Sequence, residues 1–197
     1  LIASMAMLAM TGATQAAGNA EAGKTKSAVC AACHGADGNS GANPVWPKLA
    51  GQHPNYIIQQ LKDFKAGKRT NAMMAPMAAP LSEEDMADLA AYFSSQKRTI
   101  GEAAADQVAE GEKLYRAGNP VSGVSACSAC HGPTGSGNPL SNFPSLSGQG
   151  AAYVVQALKD FRSGTRNNDP AGMMQDVASR LTDAEIDAVA QYVQGLH

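Results

Sequence analysis

Cys30-Ala31-Ala32-Cys33-His34 and Cys127-Ser128-Ala129-Cys130-His131 gather all four cysteines and two of the four histidines of this chain. A C-x-x-C-H run is the attachment signature of a c-type haem. Each thiol adds across a porphyrin vinyl group, and two intervening residues let both sulfurs reach from one helical turn. The next residue then lies under the metal and supplies an imidazole to the iron. Cys30, Cys33, Cys127 and Cys130 are therefore the candidate thioether positions, His34 and His131 the candidate proximal ligands, and two haem c groups the expected cofactors. A zinc or thiol-redox protein is the competing reading. The two motifs are too far apart for a typical single four-cysteine zinc site, and neither sits in a βαβ pattern.

An iron held by one histidine is open on its other face, and the internal repeat helps to find what closes it. An offset of 97 residues carries Cys30 onto Cys127, Pro47 onto Pro144, Leu49 onto Leu146, Gly51-Gln52 onto Gly148-Gln149 and Tyr56 onto Tyr153. It continues through Leu61-Lys62-Asp63-Phe64 onto Leu158-Lys159-Asp160-Phe161, and Gly67 onto Gly164. From there the offset is 100, carrying Met73-Met74 onto Met173-Met174, Leu81 onto Leu181 and Tyr92 onto Tyr192.

A ligand used in both halves must survive this superposition. Of nine methionines, Met5, Met7 and Met10 lie in the N-terminal apolar stretch. Met86 falls on Ile186 along an apolar helix face, and Met77 falls on Val177. The pairs Met73-Met74 and Met173-Met174 remain, read as loops just before the last helix of each half. Spacing leaves the members of each pair as alternatives, against the plainer reading of Met as adaptable core filler. His53 falls on Gly150 and His197 has no counterpart, so both are read as surface or loop residues. Pro47 and Pro144 each stand thirteen residues after their histidine. There a backbone carbonyl could accept the imidazole Nδ1–H, orient the ring and tune its basicity. Trp46 and Phe143 precede them and are read as packing against haem.

The elements that position these residues read as helices. Ala20 to Cys33 and Asp106 to Arg116 have helix-forming composition, and Gly/Asn/Pro/Ser-rich loops follow each motif. Pro54 suits the first turn of the next helix and Gly67 its stop. Ile57, Leu61 and Phe64 form a core-facing stripe that Val154, Leu158 and Phe161 repeat. The last helices start at Ser82-Glu83-Glu84-Asp85 and Thr182-Asp183-Ala184-Glu185, of which only the second is read as a full capping box. No strand-like alternation occurs. The expected class is all-α, with two tandem haem domains at 17–98 and 99–197 and a linker at about 96–105. A repeat of half the chain indicates duplicated domains rather than a solenoid.

Composition agrees with small cofactor-stapled domains. The chain has 197 residues, and its charged fraction of 16% is below the roughly 25% of an average soluble domain. Two domains of roughly 90 residues each bury thin cores, which covalent haems would supplement. A net charge of −2 gives no reason to expect a nucleic-acid partner. Residues 1–98 carry +2 and residues 99–197 carry −4, a split that could orient docking. Leu1 to Ala16 reads as the remnant of a signal peptide, with an apolar h-region and small residues at Thr14-Gln15-Ala16. It is shorter than the ~20 residues a membrane span needs. Export to the periplasm is the expectation, where haem can be attached to reduced thiols.

The C-x-x-C-H motifs, the Pro-x-Leu-x-Gly-Gln-x-x-x-Tyr stretches, the Met-Met segments and the Leu-Ser/Thr-x-x-Asp/Glu helix starts together resemble class I cytochrome c. Their duplication is similar to the cytochrome c4 family, over nearly all of Gly18 to His197. The resemblance implies His/Met-ligated haems and carries the axial role onto Met74 and Met174, with a further family methionine at the Met77 position. It also implies a periplasmic one-electron carrier, not an enzyme. A quinol-oxidising complex would be its donor and a haem-copper oxidase its acceptor, met by transient docking with peripheral membrane association. The alternative is a dihaem enzyme of peroxidase type or a cytochrome subunit of a larger oxidoreductase. Methionine pairs in both halves argue against an open iron.

Overall fold

The structure is a computed structural model that describes residues 18–41 and 43–197. The signal-peptide reading of Leu1 to Ala16, with Met5, Met7 and Met10, lies outside the described residues. The first domain contains α1 (Ala20–Lys26), α2 (Ala28–His34), α3 (Pro54–Lys65), α4 (Met74–Ala78) and α5 (Glu83–Ser95). The second contains α6 (Val108–Ala117), α7 (Ser128–His131), α8 (Ala151–Ser163), α9 (Met173–Ser179) and α10 (Asp183–Gly195). Among the described residues there is no strand, only isolated bridges at Asn119–Val124 and Asn138–Phe143. None of these helices is long and apolar enough to cross a membrane.

Each domain is closed by its first helix crossing its last, α1 on α5 and α6 on α10. Glycine makes the crossing close. A Cβ on Gly23 would lie 2.0 Å from the Asp88 carbonyl oxygen, and one on Gly111 2.2 Å from that of Ala188. These glycines are related by an offset of 88, so the second domain carries nine extra residues between its first helix and its haem motif. They form the loop of the Asn119–Val124 bridge, whose tip, Val121, is 96% exposed.

The apolar stripes meet behind these crossings. Ile57 of α3 packs with Leu89, Ala90 and Phe93 of α5, and Val154 of α8 with Val189, Ala190 and Val193 of α10. Met86 is buried in the core as its helix face requires. The last helices differ from expectation at one end, because both carry complete capping boxes. Asp85, though shorter than glutamate, accepts from Ser82 N at 2.8 Å while Ser82 Oγ accepts from Asp85 N at 3.0 Å. The helix-forming stretch from Ala20 to Cys33 holds two helices, α1 and α2, divided at Ser27.

Among the described residues no helix of one domain packs on a helix of the other. Loops and polar side chains join them instead. The connecting segment is tied into this junction. Arg98 Nε donates to Ala50 O at 2.7 Å, while its Nη1 donates to Ser145 O at 3.1 Å and Ser147 O at 3.0 Å.

Candidate haem sites

The short helices α2 and α7 bring the cysteines and histidine of each motif onto one cavity wall. His34 and His131 are both 7% exposed. His34 Nδ1 lies 2.9 Å from Pro47 O and His131 Nδ1 3.0 Å from Pro144 O, the contacts the thirteen-residue spacing anticipates. A carbonyl only accepts, so Nδ1 carries the proton and Nε2 keeps its lone pair for a metal. Burial pushes both imidazoles below their ordinary pKa, outweighing the opposing carbonyl bond. The neutral ring is the form that ligates. Burial also raises the Cys30 thiol, and raises Cys127 to about 11.

The methionines are held by helices rather than the expected loops. Met74 opens α4 and Met174 lies in the first turn of α9. Asn71 Oδ1 accepts from Met73 N and Met74 N at 3.0 and 2.9 Å. In the second domain Asp169 Oδ2 accepts from Met174 N and Gln175 N at 2.8 and 3.1 Å. All five methionines line the cavity, Met74 and Met174 half-buried and Met73, Met77 and Met173 56%, 40% and 41% exposed.

That cavity has a volume of about 1370 Å³ and runs through both domains, touching His34, Met74 and Phe93 in one and His131, Met174 and Val193 in the other. It exceeds the roughly 300–1,000 Å³ of an ordinary ligand pocket. Two further features suit a large flat cofactor with its own carboxylates. Trp46 Nε1 is a buried donor with no partner on the cavity wall. Lys48, Arg69, Arg98 and Arg166 gather between the domains, and none is paired with a carboxylate among the described residues. Burial lowers Arg98 to about 10, which an incoming anion would reverse.

Sequence reasoning missed the residues that join the sites. Arg166 Nη2 donates to Tyr56 OH of the other domain at 2.8 Å, and Arg69 Nη2 to Tyr153 OH at 3.3 Å. The two arginines also lie over Phe161 and Phe64 of their own domains, at 4.3 and 4.7 Å from the ring centroids. Burial pushes the Tyr153 phenol up, but the Arg69 and Arg166 charges override it and bring it down to about 8. The offset of 97 relates Arg69 to Arg166 and was the available signal. His53, read as a surface or loop residue, donates from Nε2 to Ser136 O across the junction at 2.8 Å. His197 is exposed, with Nδ1 2.9 Å from Gly195 O.

Known proteins share this arrangement. The family model for cytochrome c matches residues 20–97 and again 108–197. The chain is 54% identical over 181 residues to cytochrome c4 of Thiocapsa roseopersicina, covering 91% of this chain and 93% of that one. It is 42% identical over 175 residues to the thiosulfate dehydrogenase electron acceptor of Thiomonas intermedia, covering 85% and 78%. The crystal structure of reduced recombinant cytochrome c4 from Pseudomonas stutzeri superposes with a TM-score of 0.88 at 49% identity, over 92% of this chain and 100% of that one. Two repeated haem-attachment helices, two buried imidazoles on one long cavity and these likenesses lead to one conclusion: the chain belongs to the cytochrome c4 family, with two tandem cytochrome c domains that bind two covalent haem c groups.

Proposed function

We propose that this dihaem electron-transfer protein is an exported carrier between membrane respiratory complexes, taking electrons from a quinol-oxidising donor and delivering them to a haem-copper oxidase. Each haem c supplies one reversible electron at its iron. Cys30 and Cys33 would hold one haem and Cys127 and Cys130 the other, with His34 and Met74, and His131 and Met174, offered to the iron. The observation that carries the reading is the matched pair of sites, each offering a buried neutral imidazole and a half-buried thioether to one cavity. A His/Met pair would leave no place on the iron for a substrate and would favour a raised potential. Pro47 and Pro144 orient the imidazoles, and the apolar walls keep water from the iron.

Leu1 to Ala16 supports export, and the charge split between the halves supports an oriented, transient encounter with partners and peripheral contact with their membrane. The reduced protein mixed with membranes containing a haem-copper oxidase is expected to be reoxidised in a cyanide-sensitive reaction that slows as salt rises. No oxidation above the membrane-free rate would sink the oxidase assignment. The Thiomonas likeness favours a second reading, in which the chain accepts electrons from a thiosulfate-oxidising enzyme. Reduction by thiosulfate that depends on such an enzyme would support it. The ligand assignment is checked by spectrum: Met74→Ala and Met174→Ala should each remove about half of the weak far-red iron–thioether band. A Met74→Ala protein with the full band would move the role to Met77 or Met73.

A further inference from the structure

We propose that Gln52 and Gln149 each tune the haem of the opposite domain, by polarising the one peptide group whose carbonyl holds that haem's proximal histidine. This rests on His34 and His131 being the iron ligands. The relevant geometry is a chain of hydrogen bonds that crosses the domain junction twice. Pro144 O accepts from His131 Nδ1 at 3.0 Å, and the N–H of the same peptide group, that of Ser145, donates to Gln52 Oε1 at 2.8 Å. Pro47 O accepts from His34 Nδ1 at 2.9 Å, and the N–H of that peptide group, that of Lys48, donates to Gln149 Oε1 at 2.8 Å. The offset of 97 relates Gln52 to Gln149 and Lys48 to Ser145, so the two chains are one device used twice.

Both glutamines are built to hold this position. They are 6% and 4% exposed. Gln52 Nε2 donates to Ser145 O and Gln149 Nε2 to Lys48 O, both at 3.0 Å, so each amide grips the N–H and C=O of a single residue. Each Oε1 also accepts from the backbone N–H that follows its own residue, His53 N and Gly150 N, at 3.0 Å. These contacts leave the amide one orientation, with Oε1 facing the peptide N–H.

The physical consequence follows from amide resonance. When a peptide N–H donates to a good acceptor, electron density moves to its carbonyl oxygen, and successive hydrogen bonds strengthen one another. The Pro144 carbonyl then pulls harder on the His131 Nδ1 proton, Nε2 becomes more basic, and the ferric form of the iron is favoured. A glutamine of one domain thus lowers the potential in the other. The acceptor is present only while the domains are docked, so each site senses the junction.

The test uses the full dihaem protein with Gln52→Leu, Gln149→Leu and Gln52→Glu. Reductive titration followed by NMR, which resolves the two haems, is expected to show a crossed pattern. Gln52→Leu raises the potential of the His131 haem and leaves the His34 haem in place; Gln149→Leu does the reverse. In the reduced protein, the His131 Nδ1–H resonance moves towards that of a weaker hydrogen bond in Gln52→Leu. It stays near its original position in Gln52→Glu, which keeps the acceptor and loses the donor. Shifts in the mutated residue's own domain, equal shifts in both haems, or a Glu variant matching the Leu variant would overturn the proposal and make the glutamines simple fasteners. A wild-type protein without low-spin haem signatures would overturn the histidine ligation beneath it.

Discussion

The first and second domains solve the same problem with different side chains where α1 crosses α5 and α6 crosses α10. Gly23 and Gly111 let both helix pairs approach closely. Beside Gly23, Lys26 bridges Asp85 and Asp88 at 2.7 Å each, and the Asp88 side chain is only 5% exposed. The equivalent positions across the other crossing are Leu114 and Ala188, both buried. The tyrosines differ too. Tyr92 OH donates to Ala36 O at 2.7 Å from the last helix of the first domain. In the second domain Tyr115, from the first helix, donates to Gly132 O at 2.7 Å, and Tyr192 packs on its ring. The lesson is that this fold needs a close crossing and a tether on the loop after the haem motif. Either helix can supply the tether, and polar or apolar groups can complete the crossing.

The largest expected effect tests what the domains share. Gly23→Ala and Gly111→Ala force a methyl group against a helix backbone, and each should destabilise its own domain by about 1–3 kcal/mol. Calorimetry that resolves the two transitions checks this, and equal losses in both domains from one substitution would contradict separate cores. A smaller effect separates the methionine helices. Asn71→Ala and Asp169→Ala each remove a side-chain acceptor for the first backbone N–H groups of the methionine helix, at about 1 kcal/mol. The second should cost more, because Asp169 adds a charge at the helix start and a bond to Gln175 Nε2 at 2.9 Å. Weakening of the far-red band in the affected domain alone is the readout.

The smallest is an acid effect expected to be stronger in the first domain. Lys26 holds Asp85 and Asp88 below the ordinary carboxylate range. Their contribution is complete above about pH 4, where unfolded carboxylates are ionised, and fades as pH falls through the depressed values. In the second domain Arg162 lowers Asp183, an exposed group that solvent screens, and the Thr182 N–H and Asn119 lower Glu185. On acidification the first domain should therefore lose melting temperature faster, and Asp85→Asn combined with Asp88→Asn should remove most of the difference. Parallel declines in the two domains would show that the bridge contributes nothing particular.

Much of the site was legible before any coordinates. The haem motifs are contiguous, the apolar stripes are periodic, and the repeat places Pro47 and Pro144 at one spacing from their histidines. What failed had local causes. Ser82-Glu83-Glu84-Asp85 lacks the Glu or Gln of the usual capping box, yet Asp85 reaches the Ser82 backbone. The loop at Val121 does not show in the repeat, because the first helices align at an offset of 88 while the rest aligns at 97 or 100.

By itself, then, the sequence determined that two haems are attached, which histidines and methionines are the candidates to serve them, and that helices surround them. These depend on covalent chemistry and on short-range periodicity. Only the tertiary structure decided that Met74 and Met174 are more buried than Met73, Met77 and Met173, because exposure depends on how α4 and α9 lie against the cavity. It alone brought Arg166 to Tyr56, and Gln52 to the peptide behind His131, across more than ninety residues of chain. Such contacts depend on how two folded domains dock, which no local pattern of residues encodes.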